Sequence, residues 1–560
     1  MGDIRVALIM GGGVSLGSFS GGALARVIEQ LEYASLEGGR DITIDVFSGA
    51  SAGAMTLAVA AYHMMLGSST ATIAGHLEDA WVKDISIDNL VPPDLAAHDA
   101  PSIFADSAIR SIADNAMKGG DGALADRHPL FKDGALVSFA LTNLNGFPAD
   151  ASGQIFNQAH AGGASAFGAG SPFADAVQTT FHDDTMQFDL RRGPAVAPPY
   201  PRVLSPVATD PNCTAFMEAA IASGAFPAAF PPVRIERTED EYGVWWPDAL
   251  KGSPFSFDFV DGGFLRNEPL REAIHLAARQ DAHGGDDFER WFILIDPHVS
   301  GTSESYALTH NHAQRLKGSY EDKRREVVHE AVPPTPLSRM LGVLGRLVGV
   351  ATSQATFRDW LKAARVNSQL EWREELMAII SGLTPRDEAE SKERVTALLQ
   401  KIRRDKLERS LGKEATQEAI REINKNVEDE VNGRKQGPGS GSDFQVRLQL
   451  LIDTVANMHK KRKLNMIAIT PASMPNGALH PLAGNFLHNF GGFFDPAFRK
   501  HDFKAGQYVA DEVLSQAGGT MGLSFAPKQR PAQWQETASP LPRFARPEDR
   551  RFRGPNYRPD

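Results

Sequence analysis

The sequence predicts an α/β protein with a mainly parallel sheet, and three features of its first 66 residues carry that reading. Arg5–Met10 is a short apolar run, the pattern of a strand buried on both faces. Glycines follow it, and Gly22–Tyr33 then spaces its apolar residues as a helix does. Ile42–Phe47, the tight turn Ser48–Gly53 and Ala54–Leu66 repeat the order of strand, turn and helix. Strands linked through helices are the start of a parallel sheet. Further strands are predicted at Leu136–Thr142, Arg202–Pro206, Phe255–Val260, Trp291–Ile295 and Lys463–Thr470.

The remainder of the chain changes character. Residues 151–175 are rich in Gly, Ala and Ser and read as a mobile loop. From Tyr320 to Lys435 the chain is charged and helical in pattern, with Val395, Leu398, Leu399 and Ile402 on one apolar face. Residues 436–442 have linker composition, Phe444–Ala456 restarts a helix, and 530–560 is a Pro- and Arg-rich tail.

Composition narrows the function classes. With 560 residues the chain exceeds one ordinary domain, and 42% hydrophobic and 23% charged residues are globular values. A net charge of −11 argues against a nucleic-acid partner and against bulk attraction to anionic lipid. Cys213 is the single cysteine, so an intrachain disulfide or thiolate metal site is impossible, and sparse cysteine fits the cytoplasm. The opening residues lack the pattern of a signal peptide, and no run reaches the length of a membrane span. The sixteen histidines are scattered without metal-ligand spacing, so no metal is expected.

Chemistry is signalled at three glycine-marked turns. The first is Gly11-Gly12-Gly13-Val14-Ser15-Leu16-Gly17, directly after a strand. Successive glycines let main-chain N–H groups converge on a negative oxygen, either a phosphate or an oxyanion. A P-loop fails because Ser18 stands where lysine is required. A looser NADP-binding spacing through Gly11, Gly13 and Gly17 survives, but no tyrosine has Lys four residues later, as such reductases use. The second turn is Gly49-Ala50-Ser51-Ala52-Gly53, a nucleophile elbow between strand and helix. Gly13–Gly17 matches the same pattern around Ser15, but the small neighbours Ala50, Ala52 and Ala54 favour Ser51. The third is Asp261-Gly262-Gly263 after an apolar run, with the carboxylate at a strand's C-terminal end, the edge where α/β sites form. An ordinary strand–helix turn at Ser51 and a loop-capping aspartate at Asp261 are the bland alternatives.

Taken in order, GGGVSLG, GASAG and DGG resemble the patatin-like phospholipase family. The segment ASGAFPAAFPP at 222–232 and Asn267 and Pro269 after the third motif fit the same family, over about residues 4–300. Residues 483–507, AGNFLHNFGGFFDPAFRKHDFKAGQ, resemble a C-terminal extension of a bacterial patatin-related subgroup. The resemblance implies a mainly parallel sheet sandwiched by helices, with a helical insertion and that extension. Together with the shifts in composition it divides the chain into a catalytic domain at 1–310, a charged helical region at 311–435, the linker, the extension at 443–529 and the tail. It further implies a serine lipid acyl hydrolase acting on phospholipid, lysophospholipid or acylglycerol esters without a cofactor. Ser51 would be nucleophile and Asp261 the base. Gly11, Gly12 and Gly13 would form the oxyanion hole, and Gly49, Gly53, Gly262 and Gly263 would shape the turns. Val14 and Ser15 stand where many patatins carry a basic residue.

Other readings remain open from the sequence. Ser51, Asp261 and His298 occur in the order of an α/β-hydrolase triad. A non-catalytic lipid-binding scaffold and an NADP-binding reductase are alternatives of other classes. Leu337, Met340, Leu341, Leu344, Leu347 and Val348, with Arg339 and Arg346 beside them, would suit either a peripheral membrane contact or a helix buried against the sheet.

Overall fold

The computed structural model describes residues 3–92, 102–119, 127–150, 178–191, 201–205, 211–242, 246, 250–282, 288–298, 358–381, 387–411, 431–432, 442–455, 463–473, 482–485 and 489–527. The loop at 151–175, the helix expected at Leu337–Val348, the linker up to residue 441 and the tail lie outside them. Two compact units are present, one of residues 1–146, 182–359 and 465–560, the other of 147–181 and 360–464. Among the described residues no helix is long and apolar enough to cross a membrane.

The first unit opens as the sequence predicts: β1 (Asp3–Met10), α1 (Gly17–Gly38), β2 (Ile42–Gly49), α2 (Ala52–Leu66) and α3 (Thr70–Glu78). A π-helical turn, Asp79–Asp84, and α4 (Asp106–Ala116) precede β3 (Phe131–Asp150), β4 (Gln178–Leu190) and β5 (Arg202–Leu204). Then come α5 (Pro211–Ser223), β6 (Val233–Arg237), β7 (Phe255–Asp261), α6 (Leu270–Ala282) and β8 (Phe288–Ile295). Strands β4 and β6 are not among those expected from the sequence. The signal for β6 was available, since VRIER alternates buried and exposed side chains along its length.

The sheet runs β5-β4-β3-β2-β1-β8-β9, with β9 at Asn465–Ile469. Pairs β1–β2, β1–β8, β2–β3 and β8–β9 are parallel. Residues 6–10 of β1 are fully buried on both faces, which is why the strand reads as an unbroken apolar run. Met10 is level with Gly49 on one side and Ile295 on the other, so three strands end in line. The loops after them therefore meet at one edge.

Strand β7 departs from the expected geometry. It pairs antiparallel with β3, Leu141 opposite Asp261, and with β6 on its other side. Asp261 reaches the same edge by entering from outside it, against the direction of the parallel strands.

One buried charge is built into the sheet. The β1–β2 register slips between Val6 and Ala7, where Asp45 is left over as a bulge, fully buried. Its carboxylate accepts both terminal nitrogens of Arg290, one at 2.8 Å. Arg290 also pairs with Asp281, so its charge keeps a partner when Asp45 is removed. Asp45→Ala should therefore cost about 1–3 kcal/mol of stability, through lost charged hydrogen bonds inside the sheet, read by urea unfolding. An unchanged midpoint would refute this role.

The C-terminal region joins the first unit. Besides β9, it supplies α10 (Pro496–Met521), capped by Asp495, whose side chain accepts the Ala497 N–H at 2.7 Å. Helix α10 lies against α1 backbone to backbone: a Cβ on Gly22 would fall 1.9 Å from the Phe503 carbonyl oxygen, and one on Gly506 would fall 2.0 Å from that of Phe19. Arg26 and Gln30 of α1 both reach Asp511 of α10, at 2.5 and 2.7 Å.

The second unit contains α7 (Arg358–Ser381), α8 (Glu388–Leu411) and α9 (Asp443–Val455). Leu399, Val431, Val446 and Leu450 form its buried cluster. Leu398, expected on the apolar face of α8, instead turns outward and is 46% exposed.

Candidate active site

Ser51 stands at the apex of the β2–α2 turn with φ 53° and ψ −133°, a left-handed conformation unusual for a residue with a side chain. The glycines either side make the turn possible. A Cβ on Gly49 would meet Ala54 Cα at 2.7 Å, and one on Gly53 would meet the Gly11 carbonyl oxygen at 2.5 Å. The end of β2, the first turn of α2 and the exit of β1 thus touch through main chain alone. The turn is also fastened from behind: the Ser51 N–H donates to Ser223 Oγ at 3.0 Å, and that hydroxyl donates to the Ala140 carbonyl at 2.7 Å. Ser223 is a supporting residue with no signal of its own beyond its place in the 222–232 segment.

The Ser51 hydroxyl donates to Asp261 Oδ2 at 2.6 Å. The other carboxylate oxygen accepts the Gly263 N–H at 2.7 Å. Main-chain bonds lock the residue: its N–H donates to the Ala225 carbonyl at 2.9 Å, and its carbonyl accepts the Thr142 hydroxyl at 2.9 Å. Gly262 is required here, because a Cβ would fall 1.9 Å from the Ala140 carbonyl oxygen. Asp261 is 3% exposed, and burial pushes its carboxyl up to about 7. The Ser51 hydroxyl, the Gly263 N–H and nearby His298 pull the other way without cancelling that effect.

The three glycines of the first loop divide their roles. The Gly11 N–H donates to the Ile295 carbonyl at 3.0 Å and so extends the β1–β8 ladder. It is spent within the sheet, which corrects its assignment to the oxyanion hole. Gly12 lies against the serine: a Cβ there would be 2.6 Å from Ser51 Cβ. Its N–H donates to the side-chain and main-chain oxygens of Asn267, at 3.2 and 3.3 Å. Gly13 is confined by Pro297, whose Cγ would be 2.7 Å from an added Cβ.

Ser15, the rival elbow serine, is a tether. It is buried, its hydroxyl donates to the Asn489 carbonyl at 2.5 Å, and it accepts the Gly492 N–H at 2.9 Å. The C-terminal segment is thereby bolted to the glycine loop. Arg499 fixes the same segment from its other end, donating to the Gly492 carbonyl at 2.8 Å and the Val82 carbonyl at 3.0 Å. Gly17, read as the end of an elbow, makes room for Trp81, whose ring an added Cβ would meet at 2.3 Å.

His298 does not complete a triad. Its Nδ1 lies 3.3 Å from Asp296 Oδ1 and its Nε2 lies 2.9 Å from Asn489 Nδ2, while Ser51 bonds the Asp261 carboxylate directly. Burial alone would raise the Asp296 carboxyl, but hydrogen bonds from Glu268 and His298 outweigh it and hold the group below the usual carboxylate range.

Ser51 lines an apolar pocket together with Val14, Met55, Trp81, Ile221, Phe230 and Phe493 among others. Phe493 comes from the C-terminal segment, and Phe490 beside it packs its ring with Phe104, Phe226 and Phe493 at 5.7–6.2 Å. Nothing in the local sequence at 489–493 could place Phe493 in the wall of a pocket that Ser51 also lines.

Residues 8–274 match the family model of the patatin-like phospholipases. An uncharacterized protein of Sinorhizobium fredii, y4iI, is 28% identical over 363 residues, covering 53% of this chain. The chain spans 49% of that relative's length. The crystal structure of VipD from Legionella pneumophila aligns over 82% of this chain and 93% of its own at 13% identity, with a TM-score of 0.20 that carries no weight. The paired serine and aspartate, the glycine loop above them and the family match over the same stretch together identify residues 8–274 as a patatin-like phospholipase domain.

Proposed function

We propose that the chain is a serine hydrolase of lipid carboxylic esters that works through a Ser51–Asp261 dyad. The observation that carries this reading is the 2.6 Å contact between Ser51 Oγ and Asp261 Oδ2 beneath an apolar cavity. Family membership supports it, since patatin-like phospholipases are generally lipid-ester hydrolases.

Ser51 Oγ would attack the ester carbonyl carbon while its proton passes to Asp261 Oδ2. A carboxylate in water is a weak base; burial up to a pKa of about 7 makes this one competent near neutrality. The carbonyl oxygen, now anionic, would take the Gly12 N–H from Asn267 and accept the Gly13 N–H beside it. Each such donor is worth about 3 kcal/mol. The N-terminus of α2, which starts at Ala52, adds positive dipole behind the centre. Collapse breaks the bond to the leaving alcohol, which takes the proton from Asp261. Water then attacks the acyl-serine ester, Asp261 accepts its proton, and the fatty acid leaves as Ser51 is reprotonated. Phospholipid, lysophospholipid and acylglycerol esters all present this carbonyl.

A fluorophosphonate probe followed by peptide mass spectrometry tests the assignment. The label should fall on Ser51, vanish in Ser51→Ala and persist in Ser15→Ala. His298→Ala should keep labelling and p-nitrophenyl ester hydrolysis within about tenfold, because His298 serves Asp296 rather than the nucleophile. Loss of both in a folded His298→Ala protein would restore the triad. A wild-type protein inert to probe and ester would leave the scaffold reading standing.

A further inference from the structure

The glycine loop beside Ser51 is held in an unfavourable shape. Among the described residues, four other than glycine have a positive φ, and Val14, Ser51 and Asn489 are three of them. Val14, at φ 52°, is β-branched, the kind of side chain that this conformation suits least. It follows Gly12 and Gly13 directly and lines the same pocket as Ser51. A residue keeps such a backbone only where its surroundings enforce it.

The enforcement comes from the C-terminal segment. Ser15, next to Val14, gives both its N–H and its hydroxyl to the Asn489 carbonyl, at 3.0 and 2.5 Å. Asn489 presents that carbonyl from a backbone at φ 69°, which asparagine tolerates better than most residues. Its side-chain Nδ2 donates to His298 Nε2 at 2.9 Å. The His298 main-chain N–H in turn donates to Asp296 Oδ1 at 2.7 Å. The Asp296 carboxyl carbon lies against the start of the loop, 3.2 Å from where a Cβ on Gly11 would be. One residue, 474 positions from Ser15, thus reaches both ends of the glycine loop: Ser15 directly, and Gly11 through His298 and Asp296. Between these two fixed points lie Gly12, Gly13 and Val14.

We infer that Asn489 and Ser15 are positioning residues, which hold Gly12 and Gly13 where their amides meet the oxyanion formed when Ser51 attacks. The inference rests on the ester-hydrolase reading and adds to it a part for residues 489–492, outside the stretch that matches the family. Neither residue lines the pocket beside Ser51. Each acts on the amides through the loop. Its removal should therefore cost transition-state stabilisation and leave affinity for the ester in its ground state almost untouched. A merely structural contact would instead lower the amount of folded enzyme and leave each folded molecule as it was.

The test uses the full chain with Ser15→Ala and, independently, Asn489→Val. The first removes the hydroxyl tether, and the second sets a β-branched side chain against φ 69°. In each, kcat for p-nitrophenyl butanoate should fall at least about tenfold, with KM within about twofold of the wild type. Asn489→Gly keeps the backbone that offers the carbonyl, and its kcat should exceed that of Asn489→Val at least about threefold. A second readout separates positioning from folding. An alkyl trifluoromethyl ketone takes Ser51 Oγ at its carbonyl carbon, moves the carbonyl π pair to oxygen and sends the serine proton to Asp261. The adduct mimics the tetrahedral oxyanion, so its Ki should rise in each variant by the factor that kcat/KM falls. Ser15→Ala removes a single oxygen and decides alone if Asn489→Val does not fold. A lower kcat with Ki unchanged, a higher KM alone, or wild-type kcat and Ki in either folded variant would overturn the proposal and leave the hydrolase reading intact. A glycine variant no better than the valine one would strike Asn489 from the role. A wild type that neither hydrolyses the ester nor forms the ketone adduct would overturn the hydrolase reading and the positioning role with it.

Discussion

Ser51→Ala and Asp261→Asn should each lower ester hydrolysis about 10³- to 10⁴-fold, and the double variant should be little worse than either single one. The two side chains act as one unit through a 2.6 Å hydrogen bond, so removing either disables both. What activity survives would come from the glycine loop and from binding. The pH profile gives the same dyad a second signature. Asp261 must be ionised to accept the proton, and burial has pushed it up to about 7. Activity should therefore climb about tenfold per pH unit on the acid side and level off above neutrality. Stability should move the opposite way. The folded state holds this proton more tightly than the unfolded chain does, so the contribution is fully present below the unfolded carboxyl pKa, near 4, and is lost as pH rises through about 7. Between those limits the loss is about 1.4 kcal/mol per pH unit at most. Denaturant midpoints of the wild type and Asp261→Asn, compared from pH 4 to 8, isolate this component. A flat activity profile from pH 5 to 8 would remove Asp261 from the role of base.

Gly506→Ala should cost about 3 kcal/mol or more, a large share of a typical protein's stability. The new methyl would fall 2.0 Å from the Phe19 carbonyl oxygen, and a helix backbone cannot step aside as a side chain does. Relief requires α10 to move away from α1, which would also disturb the Asp511 contacts with Arg26 and Gln30. Gly519 in the same helix is the control, with nothing within 4 Å of an added Cβ. Gly519→Ala should gain about 0.5–1 kcal/mol from helix propensity. Urea midpoints for the pair decide the matter; equal responses would mean that the α1–α10 contact does not bear on stability. Because the segment just before α10 supplies Phe493 to the pocket that Ser51 lines, Gly506→Ala should also weaken the proposed ester hydrolysis.

The local signals in the chain were those set by neighbours in sequence. The apolar run of β1, the repeat of strand, turn and helix, and the glycines around Ser51 each state a requirement that a few adjacent residues satisfy. For the same reason the pairing of Ser51 with Asp261 was readable as a motif order. Its geometry was not, since β7 arrives antiparallel and no periodicity records the direction of a strand's partner. The two elbow patterns show the limit most plainly. Ser15 and Ser51 both match the elbow pattern, and although small neighbours favour Ser51, only the fold gives one a carboxylate and the other the main chain of residues 489–492. Gly11 likewise looked equal to its neighbours until the Ile295 carbonyl claimed its N–H.

By itself, then, the amino-acid order determined the sheet's beginning and the glycine-marked turns that carry Ser51 and Asp261, because glycine turns and buried strands are short-range facts. Tertiary structure alone decided that the Ser51 hydroxyl meets the Asp261 carboxylate, which side chains line the apolar pocket beside it, and that α10 and Phe493 belong to the same unit as β1. Those depend on contacts between segments far apart in the chain, such as Gly492 on Ser15, 477 residues away, and close packing is a property of surfaces that meet only once the chain has folded.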